Sequence, residues 1–384
     1  MIVAIDSLAL LGQSARTGTH SYATNLLKGC LRIVESTAPS LEFHAFTIRG
    51  DNWATNGLLS PYLRVHESRM LARKRLWRLG GMAISTALLR PDLLFLPTGL
   101  AIPSPVAPIV VTILDAMFMR LPQEYFGSPR ARANFFAWAG AKAASKVITI
   151  SNWSKQDLVE LYNLDPAKVE VIYLGYDKRL YNSAPPDPEA SADLLDRLGM
   201  RRPFILCHGL VQLRKNAHRL IQAWDRVRVV CREFDAQLVL AGGMGHGHEE
   251  ILKVREASPN RDQIVLTGEL PEGDLARLIK NASLCVIPSL YEGFCLPMVE
   301  AMACGIPTVA SSSSCMPEVS GQTLEYFDPY SIEEMAETMR RGLEDSDLRS
   351  KLRDRGLARA TEFSWERCAR ETLDVFARAV ATHG

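Results

Sequence analysis

The chain has 384 residues, 47% of them hydrophobic, which is too long for one ordinary domain and suits two of nearly equal size. Its 44 Lys and Arg nearly cancel its 43 Asp and Glu, for a formal net charge of +1, so overall charge argues against a nucleic-acid partner. None of the eight cysteines forms a C-x-x-C pair, and several, such as Cys285 in LCVIP, sit in apolar runs; they read as buried reduced thiols and favour a reducing compartment.

The opening MIVAIDSLALLG lacks a basic leading region and carries Asp6 early, so it reads as a first strand and not as a signal peptide. No apolar run has the length of a membrane span. Further strands are predicted at 41–47, 62–67, 93–97, 108–115, 146–151 and 169–175, then at 204–209, 237–242, 263–268, 284–289 and 308–311. Their unbroken Val/Ile/Leu runs, with helical stretches between, predict parallel sheets covered on both faces. The class is therefore α/β, with two doubly wound domains facing a cleft and ligands bound where strand C-termini meet helix N-termini.

Between the second and fourth strands, 64–90 carries seven basic residues (Arg64, Arg69, Arg73, Lys74, Arg75, Arg78 and Arg90) against Glu67, interleaved with Leu71, Leu76, Trp77 and Leu79. Such a stretch can lie on an anionic membrane, or can be a solvated helix face with an apolar side packed inward; both readings stay open. The proline-rich SAPPDPEASAD (183–193) predicts a linker, giving domains 1–182 and 194–364. AGGMGHGHEE (241–250) is glycine-rich but fits no dinucleotide fingerprint. His246, His248 and Glu249 match no standard zinc spacing, so a flexible loop beside a nucleotide is the better reading. Ser331 and Glu334 form a capping box, and Ser364 caps a last helix over 365–384 that is expected to pack back on the first domain.

The most informative segment is SLYEGFCLPMVEAMACGIPTVAS (289–311). It predicts a strand, a loop, a two-turn helix opened by Pro297 and closed by Gly305, and a further strand. Glu292 stands before the helix and Glu300 within it. The loop residues Gly293, Phe294, Cys295 and Leu296 present backbone N–H groups at a helix N-terminus, a place suited to phosphate. A carboxylate such as Glu300 can accept two hydrogen bonds from a ribose diol. Arg214 and Lys215, adjacent cations between a strand and a helix, suit a diphosphate leaving group.

This segment resembles the E-x7-E motif of the retaining GT-B glycosyltransferases of family four. The resemblance extends over ITISNWSKQDLVELYNLDPAKVEVIYLGYD (148–177), FILCHGLVQLRKNAHRLIQAW (204–224), YFDPYSIEEMAETM (326–339) and FSWERCA (363–369). It implies a Rossmann-like acceptor-binding N-terminal domain and a Rossmann-like donor-binding C-terminal domain. Glu300 would bind the donor ribose and Glu292 would lie by the transferred sugar. Backbone of Phe294, Cys295 and Leu296, with Gly209 and Gly268, would contact the donor, and Gly18 would approach its phosphates. Two positions depart from the family pattern: Leu114 replaces a histidine before Asp115, and Leu210 replaces an arginine after Gly209. Asp115 is then either a group that orients the acceptor or assists proton transfer, or a helix cap or loop salt-bridge partner.

The implied reaction moves a hexose, mannose favoured, from a nucleotide diphosphate sugar to a glycan or polyprenol-linked acceptor in surface polysaccharide assembly. GDP-mannose is the favoured donor, with no metal or other cofactor. The implied location is cytoplasmic, with peripheral contact at the inner face of the cytoplasmic membrane through 64–90. A nucleotide-sugar epimerase, or an inactive nucleotide-sugar-binding protein on the same fold, are the alternatives. A phosphorylase would need a pyridoxal lysine, for which the sequence offers no candidate.

Overall fold

The computed structural model describes residues 1–7, 10, 18–37, 40–47, 58, 60–68, 77, 81–98, 107–127, 130–231 and 235–382. It divides into two compact units. Unit 1 comprises Met1–Arg120, Pro129–Gly175 and Ser364–Gly384; unit 2 comprises Leu121–Ser128 and Tyr176–Phe363. Within the basic stretch 64–90, Arg69, Arg73, Lys74, Arg75 and Arg78 lie outside the described residues, and the two readings of that stretch stand as they were.

Unit 1 is built on strands β1 (Ile2–Ile5), β2 (Glu42–Thr47), β3 (Leu63–Glu67), β4 (Leu93–Leu96), β5 (Ile109–Thr112), β6 (Lys146–Thr149) and β7 (Val169–Val171). They form one parallel sheet in the order β3-β2-β1-β4-β5-β6-β7. The reversal of strand order beside β1 makes it doubly wound. The central strands β4 and β5 are buried at every position, as their unbroken apolar runs require.

The last helix, Trp365–Ala381, belongs to this unit although it follows the whole of unit 2 in sequence. Ser364 caps it, accepting from the N–H groups of Glu366 and Arg367. The helix lies on Gly18–Thr37, the first helix, and the approach is close. A Cβ on Gly29 would stand 2.8 Å from the Cβ of Ala369, and one on Gly175 would stand 2.0 Å from the backbone nitrogen of Trp365. The Phe376 ring meets that of Phe95 with centroids 4.9 Å apart.

Unit 2 carries β8 (Phe204–His208), β9 (Gln237–Ala241), β10 (Ile264–Gly268), β11 (Leu284–Ile287), β12 (Thr308–Ser311) and β13 (Glu325–Phe327), again parallel, in the order β10-β9-β8-β11-β12-β13. Its core gathers Trp224, Leu220, Leu238, Val286, Met335 and Met339. Strand β13 escapes sequence reading because it is only three residues long and buries only Phe327.

Two local expectations need correction. Part of the expected linker 183–193 is helical: Asp187 accepts from the N–H groups of Glu189 and Ala190 and opens a helix over Pro188–Arg197, within unit 2. An acidic cap followed by proline starts a helix as readily as it marks a linker. The capping box is only half formed. Ser331 accepts from the Glu334 N–H, but the Glu334 carboxylate takes the N–H of Asp328, not that of Ser331.

Candidate active site

The candidate site of unit 2 collects at the C-terminal ends of β8 and β11, the neighbouring strands at which the order reverses. After β8 the chain turns at Gly209, whose φ of 112° favours glycine. It then makes a short turn over Leu213–Lys215. Asn216 anchors that turn. Fully buried and left-handed at φ 63°, it donates through its side chain to the carbonyls of Pro288 (3.0 Å) and Pro329 (2.7 Å). The turn is thereby tied to the ends of β11 and β13. The backbone carbonyl of Arg214 also accepts from the Leu290 N–H at 3.0 Å.

This anchoring brings Arg214 and Lys215 onto Glu292. The Glu292 Oε1 lies 2.5 Å from Lys215 Nζ and 3.2 Å from Arg214 Nη1, and Arg214 also donates to the Tyr291 carbonyl at 2.8 Å. Glu292 is buried, and its backbone N–H donates to Ser314 Oγ at 3.0 Å. Burial alone would push the carboxyl up. Arg214, Lys215 and a hydrogen bond from Ser289 outweigh it and hold the carboxyl down at about 2. Glu292 is therefore an anion across the physiological range, between two cations that it only partly neutralises.

The helix Leu296–Ala303 begins from Cys295, which adopts φ 66° and leaves the cap unfilled by any side chain. Pro297 lies in its first turn and Gly305 follows its end at φ 72°. Phe294 is buried with its ring edge-on to Phe363, so only its backbone is placed to meet a ligand. Glu300, partly buried, rises from the helix toward β8, where its Oε2 lies 3.3 Å from His208 Nε2. A Cβ on Gly209 would meet Pro297 at 3.7 Å and Lys215 Nζ at 3.9 Å. Gly209, Lys215 and the start of this helix thus share one small space, with Glu292 and Glu300 on its borders.

The glycine-rich loop is not free. Val211 N–H donates to the Gly243 carbonyl, Gly245 N–H to that of Val211 and Leu213 N–H to that of His246, at 2.8–3.1 Å. A Cβ on Gly242 would fall 2.0 Å from the Gly209 carbonyl oxygen. The glycines let the segment run against 209–213, and the expected flexible loop is instead a fixed wall beside the turn. Gly268 ends β10 at φ 68° with open space around it. Among the described residues no group of three or more His, Cys, Asp or Glu side chains is arranged to hold a metal ion.

Gly18 and Asp115 belong to unit 1. Gly18 is the first residue of its helix, and nothing lies within 4 Å of where its Cβ would be. Asp115 Oδ1 accepts from the Met117 N–H at 3.1 Å, a bond to the first residue of the short helix Met117–Arg120. Three contributors gave no distinct signal in the sequence: His208, hidden at the end of an apolar strand; Asn216, behind the more conspicuous Arg214 and Lys215; and Ser314, in a run of four serines.

Comparison with known proteins follows the same division. Residues 196–359 match the model of glycosyl transferases group 1, and residues 46–180 that of glycosyltransferase family 4. The O-antigen chain mannosyltransferase B of Escherichia coli is 29% identical over 235 residues, 61% of each chain. The MMP alpha-(1->4)-mannosyltransferase of Mycolicibacterium hassiacum is 30% identical over 246 residues, 63% of this chain and 56% of the relative. A serotype-specific mannosyltransferase WbdA of Escherichia coli is 28% identical over 260 residues, 67% of this chain but only 32% of the relative. The chain thus spans less than two thirds of the length of these curated relatives. Sucrose-phosphate synthase of Thermosynechococcus elongatus superimposes with a TM-score of 0.77 at 20% identity, covering 100% of both chains. Anabaena HepE in complex with UDP-glucose gives 0.74 at 18% identity, covering 98% and 100%. Two parallel Rossmann-like sheets, each in doubly wound order, and superposition over nearly the whole chain lead to one conclusion: the chain has the GT-B fold of the glycosyltransferases it resembles, with a region similar to glycosyltransferase family 4 in its N-terminal half and one similar to glycosyl transferases group 1 in its C-terminal half.

Proposed function

We propose that this chain is a retaining glycosyltransferase that moves a hexose, mannose favoured, from a nucleotide diphosphate sugar to a hydroxyl of a glycan or polyprenol-linked saccharide in surface polysaccharide assembly. The observation that carries this reading is the buried Glu292 held between Arg214 and Lys215 beside Gly209. Two cations sharing one carboxylate have charge to spare for a diphosphate, and the ion pair positions them before any donor arrives. The mannosyltransferase relatives favour GDP-mannose; the UDP-glucose complex of HepE keeps UDP sugars in contention.

In the reaction the bond between the anomeric carbon and the phosphate oxygen breaks, and its electron pair leaves with the nucleoside diphosphate. Arg214 and Lys215 stabilise that growing charge. The acceptor oxygen attacks from the face the phosphate leaves, and its proton passes to the departing phosphate oxygen. Glu292 stands at the sugar as a fixed anion that favours positive charge at the anomeric centre. Glu300 accepts from the ribose diol. Charge compensation by the two cations is the reason to expect activity without a metal. A polyprenol-linked acceptor would bring the enzyme to the inner face of the cytoplasmic membrane; no described helix is long and apolar enough to cross one.

The test is a release assay. The protein is incubated separately with GDP-mannose, UDP-glucose, UDP-N-acetylglucosamine and dTDP-rhamnose, with and without EDTA and a lipid-linked acceptor extract. Nucleoside diphosphate released from one donor only when acceptor is present, and equally with EDTA, is the expected result. Thermal stabilisation by a nucleotide without release from any donor, across varied acceptors, would favour an inactive binding protein. Donor isomerisation without release would favour an epimerase.

A further inference from the structure

His208 ends β8 with its side chain 1% exposed, and its two ring nitrogens face different neighbours. Nδ1 lies 3.8 Å from the Sγ of Cys285 on β11. Nε2 lies 3.3 Å from Glu300 Oε2, a contact without hydrogen-bond alignment, and has no hydrogen-bond partner among the described residues. Burial pushes the Cys285 thiol far above its ordinary range, so the sulfur keeps its proton and can offer it to Nδ1. A neutral imidazole that accepts at Nδ1 carries its own proton on Nε2. The Glu300 carboxylate stands beside that N–H, and a small turn of the glutamate side chain completes the bond; leaving it unmade would strand a buried donor.

Glu300 stands at the edge of this buried cluster, its side chain 17% exposed. A glutamate fixed by nothing but its own rotamers would lose that freedom when a ligand arrives, at a cost to affinity. We propose that His208 is a positioning residue of the donor site: its Nε2–H holds one oxygen of Glu300 and so presents the carboxylate, already oriented, to the ribose diol of the donor nucleotide. This inference rests on the reading of Glu300 as the ribose acceptor. Such a role predicts an effect specific to the sugar hydroxyls, which simple packing of His208 in the sheet would not produce.

The experiment measures binding of GDP and UDP, each beside its 2′,3′-dideoxy counterpart, by calorimetry. The proteins are wild type, Glu300→Ala, His208→Leu, His208→Gln and the double variant His208→Leu/Glu300→Ala. Wild type is expected to prefer ribose by roughly tenfold or more, as suits a pair of hydrogen bonds to a charged group. His208→Leu should lower that preference about fivefold, and His208→Gln, whose amide can still donate to Glu300, should keep most of it. In the Glu300→Ala background the leucine substitution should change the preference no further. If His208→Leu fails to fold, His208→Asn, whose amide stops short of Glu300, takes its place with the same expectation. A wild-type ribose preference in the His208 variant, together with its loss in Glu300→Ala, overturns the role given to His208 and leaves Glu300 standing. Ribose preference that survives Glu300→Ala, or failure of wild type to bind either nucleotide, removes the Glu300 reading and the His208 proposal with it.

Discussion

In the proposed mechanism Glu292 stands at the transferred sugar, and its charge has consequences for stability as well. Its folded carboxyl is depressed from 4.5 to about 2 by Arg214 and Lys215 against the opposing effect of burial. A depressed carboxyl stabilises the fold above the unfolded value and loses that contribution as pH falls toward the folded one. The stability gap between wild type and Glu292→Gln should therefore be flat from pH 7 to 5. It should shrink by about 3 kcal/mol between roughly 4.5 and 2, measured by urea melts at each pH. A gap that does not change with pH would mean that Glu292 is not paired in solution. At neutral pH the same variant should bind nucleoside diphosphate at least as tightly as wild type, because the cations are released to it. Its turnover should nevertheless fall about 100-fold. Lys215→Ala should do the opposite and weaken nucleoside diphosphate binding about tenfold, as calorimetry would show. These residues were legible in the sequence through their place beside strand ends and helix starts and through the resemblance carried by 204–224 and 289–311, not through their charges alone. His208 was not, since one imidazole at the end of FILCH looks like a core histidine until Glu300 and Cys285 are placed around it.

At the scale of elements, the parallel strands were readable because a strand buried on both faces has no polar alternation to confuse it. β13 was missed because three residues carry too little pattern. The helix at Pro188–Arg197 was missed for a different reason: proline and small residues signal both a linker and a helix start, and the Asp187 cap settles which. Nothing in sequence periodicity announces that Asn216 ties the turn Leu213–Lys215 to the carbonyls of Pro288 and Pro329, since those partners lie far along the chain. Asn216→Ala should destabilise by roughly 3 kcal/mol in chemical denaturation, from two lost buried hydrogen bonds and a strained positive φ. Its effect on KM for donor should exceed that of a comparably destabilising core substitution such as Leu220→Ala, because the turn carries both cations. Equal effects from the two would show that the anchor matters to folding alone.

At the scale of the whole molecule, two doubly wound parallel sheets were apparent from strand count and run length, and the GT-B architecture from the resemblance carried by 289–311 and the segments around it. The boundary was harder, because the contacts that define it are non-local. The helix Trp365–Ala381 stands on Gly18–Thr37, with Gly29 and Gly175 cut back to admit it. A chain ending at Phe363 should keep hydrogen-exchange protection in β8, β9 and β11 while losing it in β1, β4 and Gly18–Thr37. Uniform loss across both units would refute that division of labour. The same helix also sets an order on biosynthesis. Chains emerge from the ribosome N-terminus first and domains generally fold as units. Here unit 1 cannot close its packing until Trp365–Ala381 is out, whereas every residue of unit 2 precedes Ser364. The unit whose strands emerge first is therefore completed after the other, and until Trp365–Ala381 has emerged it presents the bare face of Gly18–Thr37 to whatever chaperone attends the ribosome.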